Sequence, residues 1–478
     1  MVGADVLYLP IRELAERIRT QKLSPVELTE SYLERSKRLG PKFNAYATLT
    51  EELALTQARA AEKEIAAGHY RGPLHGIPYA AKDLLAVKGY PTTWGAKPYA
   101  EQKFDYDATV IERLTRAGAI LIGKAAMIEL AGGLGYEGPD ASLTGPCKNP
   151  WNTDYWTCGS SSGSGAIASA GLANFALGSD TRGSIICPST LCGISGMRPS
   201  FGRVSRHGVM AIAWSMDKIG PMARTADCCG LILSAMAGHD AKDHDSLPAA
   251  QAAFRYSGER NGLRPLRVGR LTNVFPDGDA QLHAAVDDAL KVMEQNGAKV
   301  SDAELPEGPY EEAAELVILI EAASAFSELI DSGRCAQLED ALGQINGYAS
   351  REFSASDFIQ IQRVRVFLQK KIDALFDQFD VIAAPGEDTI SIPLKPPPRE
   401  ERPPSNQRRP RREDSKQPDA ISSLCGLPVV TVPCGFSKDH FPLGIQFMGR
   451  ALHDEDVIAA ANLFQAHTDW HTKHPPLD

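Results

Sequence analysis

At 478 residues, with 43% hydrophobic and 23% charged side chains, the chain has ordinary globular usage. That excludes a wholly disordered protein and leaves length for a large core without disulfide or metal staples. Fifty basic against 60 acidic side chains give a net charge of −10, so no general pull toward nucleic acid or an anionic membrane is expected, although a sum does not exclude a local basic patch.

The first residues, MVGADVLYLPIRELAERIRTQ, lack a basic segment followed by an apolar run, so no signal peptide is expected and the chain reads as cytoplasmic. Residues 10–70 place apolar side chains at helical spacing: Leu14, Ile18, then Val26, Leu28, Tyr32 and Leu33. Ser24-Pro25 reads as a helix start, and residues 51–68 as a third helix of a helical N-terminal arm, 1–70. Gly72-Pro-Leu-His-Gly-Ile77 is a turn feeding a short buried strand that ends at Lys82. Thr109 to Ala117 reads as a helix closed by Gly118, and Ala119 to Ile122 as the next strand. Further strands are expected at 380–384, 429–432 and 443–448, and further helices near 280–294, 310–330, 355–377 and 453–467. Such alternation predicts an α/β protein with a buried mixed sheet covered by helices.

Residues 393–418 stand apart, with eight prolines and Arg402, Arg408, Arg409, Arg411 and Arg412 but no apolar repeat. They read as an extended loop insertion, either a solvated surface segment or a basic strip or flap. Nine cysteines are too sparse for a disulfide framework, so buried thiols are expected, Cys187 among them as a small hydrophobe. His75, His207 and the other histidines show no paired metal spacing, and Asp240-Ala-Lys-Asp243 lacks the rest of a calcium loop, so no metal or cofactor is expected.

The densest chemical signal is Cys158-Gly-Ser160-Ser161-Ser162-Gly-Ser-Gly165, leading into an apolar stretch expected to be helical from Ala166 to Leu177, then Gly178-Ser-Asp-Thr-Arg-Gly-Ser184. A flexible linker is one reading, but a glycine-rich turn at a helix start suits the apolar sequel better. Gly159 to Gly163 also matches G-x-S-x-G with Ser161 as nucleophile, although the residues before it read as loop rather than strand. The third reading pairs serines with a lysine. A lysine acts as a base only when neutral, and burial behind an apolar strand lowers its pKa, which is where Lys82 falls.

These segments resemble the amidase signature family. The likeness runs through Gly72-Pro-Leu-His-Gly-Ile-Pro-Tyr-Ala-Ala-Lys82-Asp83, Gly118 to Lys124, Asn149-Pro-Trp151, the Gly/Ser stretch, Gly178 to Ser184, Gly193 to Pro199, Asp217 to Pro221, Gly426-Leu-Pro428 and Pro442 to Gln446. The resemblance implies one amidase-signature domain over 1–478 with an α/β/α fold and a catalytic core over 72–225. It implies that Ser184 is the nucleophile, Ser160 the bridging serine after a cis peptide bond, and Lys82 the general base. Backbone N–H groups of Thr181, Arg182, Gly183 and Ser184 would line the oxyanion hole, and Met127, Gly132, Gly133 and Leu134 the acyl pocket. Two positions depart from the family pattern: Arg182 replaces a small residue, and Ile186-Cys187 replaces a segment that usually begins with arginine. The expected activity is hydrolysis of a small or aryl amide, with an ester or a carbamate such as a urethane as related substrates. The expected partners are that small molecule and, through the helical arm, a second copy of the chain, with no nucleic acid and no membrane. Two alternatives stand beside it: the A subunit of a tRNA-dependent amidotransferase using glutamine, disfavoured by Ile186 and the 393–418 loop, and a non-catalytic binding protein on the same fold.

Overall fold

The computed structural model describes residues 2–258, 265–395 and 416–477. Most of the 393–418 loop therefore lies outside the described residues. Its two ends are ordered, one as a short strand and the other as a helix that opens at Pro418.

The strands in chain order are β1 (Tyr46–Leu49), β2 (Pro78–Lys82), β3 (Ile120–Ala125), β4 (Lys148–Asn149), β5 (Asn152–Trp156), β6 (Phe175–Asp180), β7 (Ser195–Arg198), β8 (Lys218–Ala223), β9 (Arg267–Leu271), β10 (Lys299–Ala303), β11 (Val381–Pro385), β12 (Ile392–Pro393), β13 (Val429–Phe436) and β14 (Pro442–Gly449). One mixed sheet of eleven strands has the order β1-β3-β2-β6-β8-β7-β13-β14-β11-β9-β10, and β12-β5-β4 form a second, small sheet. Helices flank the large sheet, Ala226–Met236 against β7 and β8, Asp454–Gln465 against β13 and β14, and Ile186–Cys192 against β13 and β14. The expected α/β architecture with a covered mixed sheet is the one observed.

The centre of the sheet decides where chemistry can occur. β2 runs parallel to both β3 and β6, and all its residues are buried, which suits its unbroken apolar run. Parallel strands end on the same edge, so Lys82, Lys124 and Asp180, near the carboxyl ends of β2, β3 and β6, are gathered along one rim. That rim is where sites form in sheets of this kind.

Local signals explain most elements. The helix Pro25–Phe43 starts where Ser24 Oγ accepts the N–H groups of Val26 at 3.1 Å and Glu27 at 3.2 Å, with proline in the first position. Two expectations are corrected. The N-terminal arm is not wholly helical, because Asn44 turns left-handed (φ 52°) and the next residues pair as β1 on the edge of the sheet. The stretch 166–177 is not one helix: Ser162–Ser169 is helical, Gly171 adopts φ 61°, and the chain re-enters the sheet as β6 between β2 and β8. An apolar segment wanted on both faces by neighbouring strands overrides helical propensity.

Beneath the rim, Lys124 Nζ lies 2.8 Å from Asp83 Oδ1, and both side chains are fully buried. Lys124→Met would strand the Asp83 carboxylate in the interior. Denaturant unfolding of that variant is expected to show a loss of about 3–5 kcal/mol, and a loss below about 1 kcal/mol would contradict the pair's structural role.

Candidate active site

Lys82 ends β2 and has no exposed surface. Its Nζ lies 2.8 Å from Ser160 Oγ, 3.0 Å from Ser161 Oγ and 2.9 Å from Ser179 Oγ. Burial pulls its pKa down to about 7, against the opposing fields of Asp180 and Asp217. The hydrogen bonds suit a neutral amine, which has two N–H donors and one lone pair. Ser161 spends its own proton on Ser179 O at 3.2 Å, so its oxygen accepts from Lys82. With Ser179 Oγ accepting the second N–H, the lone pair faces the Ser160 hydroxyl. The peptide bond before Ser160 is cis.

Ser184 occupies the turn between β6 and the helix Ile186–Cys192. The Asp180 carboxylate shapes this turn by accepting the N–H groups of Gly183 at 2.9 Å, Ile185 at 2.8 Å and Ile186 at 3.4 Å, with Arg198 Nη1 at 3.1 Å as its counter-charge. Burial alone would raise the pKa of Asp180, but Arg198, Lys218 and the Ile185 N–H outweigh it and hold the group below its ordinary value. Thr181 Oγ1 donates to Asp217 at 2.7 Å and pins the start of the turn. Gly183 has φ 80°, and a Cβ there would lie 2.7 Å from Asp419 Oδ2, so both conformation and space call for glycine. The segment is joined to the Ser160 segment by Ser161 N–H, which donates to Ser184 O at 3.3 Å. Ser160 is buried, whereas Ser184 is half-buried and its hydroxyl meets no hydrogen-bonding group among the described residues.

The predicted site residues separate on this geometry. Lys82 and Ser160 are in contact, and Ser184 is on the adjoining turn. Ser161, the alternative nucleophile, is fully buried with its hydroxyl engaged, so it does not face a substrate. Among the predicted oxyanion donors, Gly183 is corrected: its N–H is already given to Asp180. The N–H groups of Thr181, Arg182 and Ser184 donate to no acceptor among the described residues. The Arg182 side chain leaves the turn, with Nη2 donating to Gln417 Oε1 at 3.1 Å and lying 3.8 Å from Glu311 Oε2. Of the predicted acyl-pocket residues, Met127 and Leu134 are core side chains, at 0% and 2% exposure. Gly132 and Gly133 give room to Tyr136 and to Ile212 and Phe326, since a Cβ at either would lie within 3 Å of those rings and chains.

Several neighbours were not anticipated. Ser179 completes the lysine's partners, Ile128 N–H donates to Ser160 O at 3.2 Å, and Asp419 lies against Gly183 with its pKa pushed up by burial. Ser179 lies within the Gly178 to Ser184 motif and was within reach of sequence reasoning; Asp419 comes from a distant helix and carried no local signal. The expectation of free thiols is also corrected at two positions. Cys158 and Cys187 form a disulfide, since the helix Ile186–Cys192 brings its first turn against the stretch of chain before Ser160, a pairing that spacing alone cannot reveal. The other seven cysteines are buried thiols.

With this geometry in hand, likeness to known proteins becomes informative. The family model described as Amidase matches residues 27–458. The A subunit of glutamyl-tRNA(Gln) amidotransferase from Acinetobacter baumannii is 35% identical over 505 residues, covering 99% of this chain and 99% of that protein. The native peptide amidase from Stenotrophomonas maltophilia superposes with a TM-score of 0.83 at 27% identity, covering 96% of each chain. The A subunit of glutamyl-tRNA(Gln) amidotransferase from Thermotoga maritima gives 0.77 at 25% identity, covering 99% of this chain and 98% of that one.

These relatives correct two expectations. A free-standing hydrolase of small amides, esters or carbamates is displaced by the amidotransferase alternative, whose name belongs to full-length relatives at 33–35% identity. The expectation of a small molecule as partner without nucleic acid falls with it, because those relatives are named for a tRNA and as one subunit of a larger enzyme. One of the two features that had disfavoured the alternative, Ile186, has a structural explanation. Ile186 is packed in an apolar cluster, and Arg198 supplies the cation beside Asp180, so an isoleucine at 186 leaves no charge uncompensated. The net charge of −10 was a weak guide because a sum over the whole surface does not describe any one patch. Taken together, the match over most of the chain and the full-length likenesses place it in the amidase family, whose members act on carbon–nitrogen bonds.

Proposed function

We propose that this chain is the amide-cleaving subunit of an amidotransferase of the glutamyl-tRNA(Gln) type, drawing nitrogen from the carboxamide of glutamine. The observation that carries the reading is the 35% identity to the A subunit of such an enzyme over 99% of both chains. The buried Lys82 with hydroxyls at 2.8–3.0 Å supports the chemistry.

In this reading Lys82 is neutral and takes the proton of Ser160 while Ser160 takes that of Ser184. Ser184 Oγ bonds to the carboxamide carbon, and the resulting oxyanion is met by the free N–H groups of the Thr181–Ser184 turn. The relay returns its proton to the nitrogen, the C–N bond breaks, and ammonia departs, leaving an ester on Ser184. Water then adds by the same route and releases the carboxylate. Asp180 acts as a positioning residue, holding the turn through its three N–H bonds.

The test compares the chain alone with the chain co-expressed with the remaining subunits of such an enzyme and supplied with glutamyl-tRNA(Gln). Glutamine hydrolysis is expected to be slow alone and to rise about tenfold or more with partners and acceptor, with amidated tRNA formed in step. A rate that partners and tRNA leave unchanged, with no amidated tRNA, would overturn the reading.

A further inference from the structure

The Cys158–Cys187 disulfide joins the two segments that carry the paired serines. Cys158 is two residues before Ser160, and Cys187 is three residues after Ser184. Cys187 is also tied into the Ser184 turn, because its N–H donates to Gly183 O at 2.8 Å. Apart from the bridge, the direct backbone link between the segments is the 3.3 Å bond from Ser161 N–H to Ser184 O. The bridge sits in a small apolar cluster with Ile128, Ala141, Trp156 and Leu191, separate from the two main cores. Ile128 belongs to that cluster and donates its N–H to Ser160 O, so the cluster is coupled to the bridging serine by a second path.

Cys158 and Cys187 retain 7% and 8% of their surface, close to the 6% of the free thiol Cys425, so it is position and not exposure that sets the pair apart. Burial pushes the free thiols upward in pKa, Cys147 and Cys425 to about 12, which keeps them protonated and unreactive. The bridged pair is the one that spans the serine segments.

We propose that Cys158–Cys187 is a reversible thiol–disulfide modification site at which a dithiol reductant slows acyl transfer, the bridged form being the faster. The inference rests on the reading of Ser184 as nucleophile. One thiolate of the dithiol attacks a bridge sulfur, breaking the S–S bond to give a mixed disulfide and one protein thiol. The reagent's second thiol then displaces the other cysteine and leaves as a cyclic disulfide. Two electrons and two protons have passed from reagent to protein. Opening removes the covalent tie between the segments, leaving the alignment of Ser184 on Ser160 to the Ser161 N–H bond to Ser184 O, the Ser161 Oγ bonds with Ser179 and the surrounding packing. A displacement on the order of 1 Å in such a constellation is enough to cost a large factor in rate.

The experiment uses dithiothreitol and oxidised dithiothreitol on the full chain. Bridge content is followed by intact mass and by mapping of alkylated peptides, and the rate of fluorophosphonate labelling at Ser184 is the readout. The labelling rate is expected to fall about five- to tenfold in proportion to bridge opening and to recover on reoxidation. A double variant, Cys158→Ala with Cys187→Ala, is expected to show the slow rate and no response to either reagent. Three results would overturn the inference: an unchanged rate with the bridge fully open, a loss that tracks global unfolding and does not reverse, or two cysteines that stay alkylatable after oxidised dithiothreitol. Label that persists in Ser184→Ala instead sinks the assignment of Ser184, so the two failures are distinguishable.

Discussion

Ser184→Ala is expected to lower turnover of the carboxamide by about 10⁴-fold or more while leaving KM within a few fold. The reasoning is geometric. Ser184 is the serine of the site that is half-buried and has a hydroxyl with no hydrogen-bonding partner among the described residues, whereas Ser160, Ser161 and Ser179 are committed to Lys82. Removing a small, unpartnered hydroxyl costs little stability, so thermal unfolding should move little, and the loss is then chemical. Adding Lys82→Met to the alanine variant should cost little more, because groups that act as one relay are not additive. Steady-state kinetics of the single and double variants check this, and retention of a tenth of the activity in Ser184→Ala would end the acyl-enzyme reading.

The second large effect concerns the lysine itself. A base must be neutral to accept a proton, and the Lys82 pKa lies at about 7 because burial outweighs the fields of Asp180 and Asp217. Below that pH the amine is mostly charged and kcat/KM should fall about tenfold per pH unit; above it the rate should level off. Lys82→Met is expected to lose about 10²- to 10⁴-fold in rate and to flatten that slope, since the titrating group is gone. A pH–rate profile of both forms, with chemistry limiting, provides the check. A wild-type rate independent of pH between about 6 and 8 would remove Lys82 as the base. The methionine leaves three buried hydroxyls to rearrange, so its fold is verified by circular dichroism before the rate is interpreted.

How far the sequence reached depends on whether a signal was local. The run ending at Lys82 was legible because a strand buried on both faces leaves an unbroken apolar pattern, and β2 is such a strand. The helix at Pro25 was legible because its cap and first proline are adjacent in the chain. β6 was not, since Phe175-Ala-Leu is as apolar as the helix before it, and only the slot between β2 and β8 makes it a strand. The Ser/Gly stretch announced serine chemistry but not which hydroxyl faces a substrate. Ser161 satisfied a five-residue pattern yet is sealed beneath the lysine. The choice between a lone amidase and one subunit of an amidotransferase was equally out of reach, because the relay residues serve either chemistry and the two departures, Arg182 and Ile186, are absorbed by Gln417 and Glu311 and by apolar packing.

By itself, the order of residues determined the class of fold, because periodicity and capping are properties of neighbours along the chain, while the roles expected of Lys82, Ser160 and Ser184 came from the resemblance of their segments to a family. The tertiary structure alone decided that Gly183 gives its N–H to Asp180, that Ser179 joins the lysine, that Asp419 lies against the turn, and that Cys158 meets Cys187. Apart from the Gly183–Asp180 bond, which closes within one turn, each of these joins segments far apart in the chain. Such contacts exist only once parallel strands have brought their carboxyl ends to one rim, and no local pattern encodes that convergence.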